Sequence, residues 1–186
     1  MNSKFKYPII LIAILGIFYL AQAKDAKKKV APKTKASIHW MSIEEVEEKM
    51  KTAPKKVYVD MYTDWCGWCK TMDKNTLTNP NVVAYANEHF YCIRFNAEQK
   101  KAITFKGKTY KSLPKSKTHA LADEWMNGQL SYPTSIFFQE GFRDPIPVAG
   151  YLELSDMEMI FHFIAEDKQK TTSFEKYRKE FKPSWK

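Results

Sequence analysis

The pair Cys66 and Cys69 falls where a strand gives way to a helix, and this junction constrains the fold more tightly than any other feature of the chain. Lys56 to Tyr62 is short, β-branched and aromatic, which predicts a strand. Trp65-Cys66-Gly67-Trp68-Cys69-Lys70 follows it, with a helix predicted to begin after Cys66. A two-residue spacer in a first helical turn brings two sulfurs close enough to bond reversibly. The unsatisfied amides of a helix start stabilise negative charge, so Cys66 is expected to have the lower pKa and to be the attacking nucleophile. Cys69, one turn in and expected to be the more buried, resolves the mixed disulfide on this reading. Such a pair in an α/β context is fairly specific for redox work.

Other readings of the pair stay open at this point. It is half of a zinc site if two more ligands join it, and Cys92, His39, His89, His119 and His162 are the candidates, although none forms a second paired motif. It is also a purely structural disulfide if nothing exchanges with it, but so small a loop gains little unfolded-state entropy. Haem attachment needs a His directly after the second Cys, and Lys70 stands there instead. The redox reading calls for no metal and no organic cofactor.

The chain has 186 residues, which predicts one domain with a tail, and its 44% apolar and 15% aromatic content is enough for a packed core. A formal charge of +9 invites a nucleic-acid partner. Residues 1–23 hold +2 of it and residues 24–37 hold +5, which leaves +2 for residues 38–186. A phosphate-binding stripe belongs on a folded face, so no nucleic-acid partner is expected. Residues 1–23 read as a secretory signal peptide: Lys4 and Lys6, an apolar run from Pro8 to Leu20, then Ala21-Gln22-Ala23. The alternative is an uncleaved N-terminal membrane anchor with the domain facing the periplasm. Both place the domain in an envelope compartment where disulfides persist. Residues 24–37 read as a flexible, lysine-rich arm.

Domain elements follow from residue 38. Ser42 to Glu45 is a capping box, and Ile43, Val46 and Met50 repeat at helical spacing to about Lys51. The helix after Cys66 is interrupted at Asn79-Pro80 and resumes through Val82, Val83, Tyr85 and Ala86; Phe90 to Phe95 is a second strand. Residues 97–117 carry seven lysines (100, 101, 106, 108, 111, 115 and 117), with a hairpin predicted at Ile103 to Tyr110 whose role stays open between a surface hairpin shielding one edge of the sheet and a determinant of partner choice. A third helix at Leu121 to Met126 stops near Gly128, a third strand covers Ser135 to Gln139, and a fourth covers Pro145 to Ala149. Ser155 is expected to cap a helix holding Met159, Ile160, Phe163 and Ile164, and residues 171–186 form a tail with a short helix. The fold class is α/β, with a central mixed sheet flanked by helices.

On these residues the chain resembles the thioredoxin family over most of Ile38 to Ile164. A strand ending in Asp60, six residues before Cys66, matches the family pattern, and so does Tyr132-Pro133-Thr134. The resemblance implies a thioredoxin fold with residues 97–117 as an insertion before the third helix. It implies that Asp60 assists proton transfer at the resolving thiol and that Pro133 is a cis-proline facing the disulfide. It also implies that Gly150, in Val148-Ala149-Gly150-Tyr151, lies at the rim of the substrate groove, and that Arg94 stands near the buried Asp. Gly67-Trp68 between the cysteines departs from the family's soluble reductants and resembles thioredoxin-like proteins of bacterial envelopes, which leaves the redox direction open.

The resemblance implies a protein thiol-disulfide oxidoreductase. Its partners are protein substrates carrying disulfides or thiols, together with a membrane or envelope electron-transfer protein. Trp65, Gly67, Trp68, Tyr132, Gly150 and Tyr151 are the expected substrate-binding residues, with the four aromatics converging around Cys66. Cys92 is expected to be a buried apolar residue. The alternative function is a non-catalytic binding module or chaperone for exported proteins that keeps the same fold.

Overall fold

The computed structural model describes residues 36–186, so the expected signal peptide and residues 24–35 of the basic arm lie outside the described residues. β1 (Trp40–Met41) is followed by α1 (Ile43–Met50), whose start is the expected capping box: Ser42 accepts from the Glu45 N–H, and the Glu45 carboxylate accepts from the Ser42 N–H. β2 (Lys56–Tyr62) leads through a short turn into α2 (Gly67–Met72). One π-helical turn (Asp73–Leu77) then precedes α3 (Pro80–His89), in which Asn79 caps and Pro80 takes the first-turn position where no amide is needed. β3 (Phe90–Asn96), the hairpin β4 (Ile103–Phe105) and β5 (Lys108–Tyr110), and α4 (Ala120–Trp125) follow. β6 (Thr134–Gln139), β7 (Arg143–Ala149), α5 (Leu154–Ala165) and α6 (Phe174–Glu180) complete the described chain.

The five-stranded sheet has the order β1-β3-β2-β6-β7. β1, β3 and β2 are parallel, while β6 runs antiparallel to β2 and β7 antiparallel to β6. The thioredoxin fold is therefore present. β7 is an edge strand carrying Pro145 and Pro147, which cannot donate to a further strand. β2 is central and buried along almost its whole length, so its alternate residues divide two cores. Val57, Val59 and Met61 join Ile93, Phe95, Ile136 and Phe138 under α1 and α4. Tyr58 joins Cys92, Phe137 and residues of α2, α3 and α5 on the opposite face.

Two readings are corrected, and one strand is new. The hairpin does not shield an edge of the sheet. Ile103, Phe105 and Tyr110 belong to the buried cluster of the first face, and the Phe105 ring stands 5.4 Å from Trp125 and 4.9 Å from Phe142. Its alternate apolar residues gain more by covering a sheet face than by lying beside a strand. Ser155 is not a cap: α5 starts at Leu154 after Glu153, so Ser155 sits within the first turn. The two-residue β1 was not anticipated, because a pair of residues carries no periodicity and exists only by pairing with Cys92 and Ile93.

The tail folds back on the second face. Ser173 caps α6, Tyr177 packs 5.2 Å from Phe163, and Trp185 packs 5.5 Å from Tyr85. Among the described residues no helix is long and apolar enough to cross a membrane.

Candidate active site

The turn after β2 positions the cysteines. The Cys66 N–H donates to the Thr63 carbonyl at 3.2 Å, and Cys66 becomes the N-cap of α2. Cys66 and Cys69 are joined as a disulfide with S–S 2.09 Å and Cα–Cα 5.3 Å. The Cys69 N–H donates to Cys66 Sγ at 3.0 Å, so the helix start places a backbone donor on that sulfur. Cys69 is not the more buried of the two, because each residue is 4% exposed. A bonded sulfur is shielded by its partner, which removes the difference expected of separate thiols. Trp65, just before the pair, and Trp68, between the two cysteines, are 66% and 64% exposed, so a buried disulfide has exposed aromatic neighbours in the chain.

Asp60 lies on the face of β2 that supports α2. Cys69 and Asp73 are four residues apart and share a helix side. Asp73 pairs with the Arg94 guanidinium, and Arg94 Nε lies 3.4 Å from Asp60 Oδ2. Arg94 is the register neighbour of Asp60 on β3, which is why the two side chains meet. The chain Cys69, Asp73, Arg94, Asp60 thus ties the second cysteine's helix to the buried carboxyl. Asp60 is 1% exposed, and its Oδ1 has no hydrogen-bond partner among the described residues. Burial raises the Asp60 pKa to about 7; Arg94 opposes that shift and Asp73 adds to it. A carboxyl with that value gains and loses a proton near neutrality, as a general base must.

A groove completes the site. Trp68, Tyr132, Pro133, Gly150 and Tyr151 line an open, mostly apolar depression of about 300 Å³. The Tyr132–Pro133 bond is cis. The Gly150 N–H donates to the Pro133 carbonyl at 2.8 Å, and its φ of +100° lies in the region where a side chain is strained, so glycine suits this rim. The four aromatics form two pairs: Trp68 is 5.5 Å from Tyr151, and Trp65 is 5.9 Å from Tyr132 in an edge-to-face contact. Trp65 also donates from Nε1 to Glu98 at 3.1 Å.

Cys66, Cys69 and the aromatic, proline and glycine residues of the groove are therefore gathered at one end of the sheet, with Asp60 and Arg94 beneath. Glu98 and Asp73 were not anticipated. The four-residue step from Cys69 to Asp73 was the available signal, whereas Glu98 meets Trp65 only through the fold. Cys92 is buried in the second core, with its pKa pushed up to about 12 by burial. Among the described residues no three His, Cys, Asp or Glu side chains are grouped as metal ligands.

Residues 39–138 match the family described as thioredoxin-like. The thiol:disulfide interchange protein DsbD of Vibrio vulnificus strain CMCP6 is 32% identical over 83 residues, and that of strain YJ016 matches equally. The match takes in 40% of this chain but 14% of that protein, so the chain spans a small part of its relative's length. A thioredoxin-fold protein from Helicobacter pylori superposes with a TM-score of 0.51 at 19% identity, over 76% of this chain and 90% of the other, a likeness of fold alone.

Proposed function

Because the chain belongs to the thioredoxin-like family, we propose that it is a protein thiol-disulfide oxidoreductase working in the cell envelope through Cys66 and Cys69. The observation that carries this is the Cys66–Cys69 disulfide at a helix start, with Trp68 between the cysteines lining an exposed apolar groove and the buried Asp60 carboxyl on the strand that leads into the turn. In the reducing direction the Cys66 thiolate attacks one sulfur of a substrate disulfide. The substrate S–S bond breaks, a mixed disulfide forms, and the released sulfur takes a proton. Cys69 then gives its proton to the Asp60 carboxylate and attacks Cys66 Sγ. The bond between Cys66 and the substrate breaks, the second substrate sulfur leaves as a thiolate and takes a proton from solvent, and the Cys66–Cys69 pair has given up the two electrons the substrate has gained. The oxidising direction runs these steps backwards from the disulfide. In both, the Cys69 N–H steadies the thiolate of Cys66.

The apolar groove suits an extended polypeptide, with Tyr132 and Trp68 flanking the bound segment. Pro133 removes an amide that would otherwise face the sulfurs. The signal-like pattern of residues 1–23 supports export. The relatives named as thiol:disulfide interchange proteins support exchange with the thiols or disulfides of another protein, and the electron-transfer partner proposed is a membrane or envelope protein. Insulin reduction by the full chain and by Cys66→Ser tests the assignment. The variant is expected to lose turnover, and equal activity in both proteins overturns it.

A further inference from the structure

Beneath the cysteines, on the sheet face that holds Asp60, three buried side-chain oxygens have no hydrogen-bond partner among the described residues: Tyr58 Oη, Asp60 Oδ1 and Ser135 Oγ. A polar atom so placed is ordinarily satisfied, and three on adjoining residues call for a reason. Their arrangement follows from the register. Ser135 on β6 lies directly opposite Asp60 on β2, so the two side chains leave the sheet on the same face. Tyr58, two residues before Asp60, shares that face and is paired with Phe137 and Cys92. Its ring is held against Phe137 at 5.4 Å and Phe161 at 5.3 Å. Burial raises the Tyr58 pKa, the Asp60 charge adds to that, and the Ser135 side chain opposes it, as groups near the Tyr58 hydroxyl on this shared face must.

We propose that Tyr58 and Ser135 are positioning residues for Asp60, forming a relay that closes when the carboxyl ionises. The Tyr58 hydroxyl donates to Ser135 Oγ, and the Ser135 hydroxyl donates to Asp60 Oδ1. This deepens the proposed function and rests on it for its purpose, since Asp60 is the group that takes the Cys69 proton. The second link closes by a turn of the Ser135 side chain toward Asp60, its directly opposite residue, and serine samples three staggered positions. The relay works on the carboxylate alone: neutral Asp60 has little call on a donor, whereas the anion left after proton loss binds one strongly. It would set the pH at which the carboxyl is ready to accept a proton. The other charged or titratable groups around this position are Arg94 and Cys92 on β3, Asp73 on the π turn, and Tyr62 on β2. β6 contributes Ser135, which is uncharged.

The test reads the carboxyl itself, in the oxidised protein and without substrate. The ¹³C resonance of the Asp60 carboxyl, identified by its loss in Asp60→Asn, is followed through a pH titration. In Ser135→Ala the midpoint is expected to rise by about one pH unit, the loss of one hydrogen bond to a charged group. Tyr58→Phe, which keeps the ring packing, is expected to raise it by less. Tyr58→Phe is expected to add nothing once Ser135 is alanine, because a relay is not additive. Ser135→Thr keeps the hydroxyl and is expected to hold the wild-type midpoint. Unchanged midpoints in Ser135→Ala and Tyr58→Phe overturn the relay, and so does an equal Tyr58→Phe shift with and without Ser135. The titration needs no exchange activity, so failure of the insulin assay and failure of the relay are separate results.

Discussion

Two carboxyl groups are buried on the same side of the sheet, Asp60 on β2 and Glu158 on α5, each 1% exposed. Glu158 is fully engaged. Its two oxygens accept from the Ser184 N–H, the Ser184 hydroxyl and the Trp185 N–H at 2.6 to 3.0 Å, which pins the tail to the domain. Asp60 has Arg94 at one oxygen and, among the described residues, no hydrogen-bond partner at the other. A buried carboxylate with all its donors strengthens a fold, whereas one left short keeps its proton to higher pH and weakens the fold when it ionises. The difference between them is the difference between a structural clasp and a group poised for proton transfer.

Stability against pH probes this contrast most strongly. The folded pKa of Asp60 lies near 7, above the ordinary 3.8. The native state therefore binds the extra proton between those values, and stability falls as pH rises from about 4 to 7. Asp60→Asn removes that loss. It is expected to unfold at higher urea than wild type at pH 8, by up to about 4 kcal/mol, with little difference at pH 4. Glu158→Ala is expected to do the reverse at neutral pH, losing about 3 kcal/mol because the tail donors lose their acceptor, while leaving disulfide exchange unchanged.

The same variants separate in kinetics. Asp60→Asn is expected to slow resolution of a trapped mixed disulfide by about a hundredfold, or about 2.7 kcal/mol of barrier. A normal rate in that variant removes Asp60 from the mechanism. The smallest expected effect is at the groove: Trp68→Ala should raise KM for a peptide disulfide about tenfold with kcat little changed. A change in kcat alone would place Trp68 in the chemistry and not in binding.

Much of the fold was legible because its signals are local. The capping box at Ser42, the β-branched run at Lys56–Tyr62, Asn79-Pro80 and the Lys106-Gly107-Lys108 turn each announce an element within a few residues. Ser155 misled because a hydroxyl near a helix start resembles a cap, and only the backbone shows that Glu153 holds that place. The hairpin was visible but its position was not, since lysine-rich turns report solvent and not which face lies beneath. Cys92 was legible through strand alternation, which puts it in the second core with Tyr58 and Phe137.

The amino-acid order alone determined the cysteine spacing, the six-residue step back to Asp60 and the Tyr132-Pro133 pair, because each is set by neighbours along one strand, turn or helix start. Only the tertiary structure decided what surrounds them. Arg94 reaches Asp60 and Asp73, Glu98 holds Trp65, Ser135 faces Asp60, and Ser184 satisfies Glu158. These contacts join segments more than twenty residues apart, and their partners are selected by strand register and shared burial, quantities that no local pattern of residues encodes.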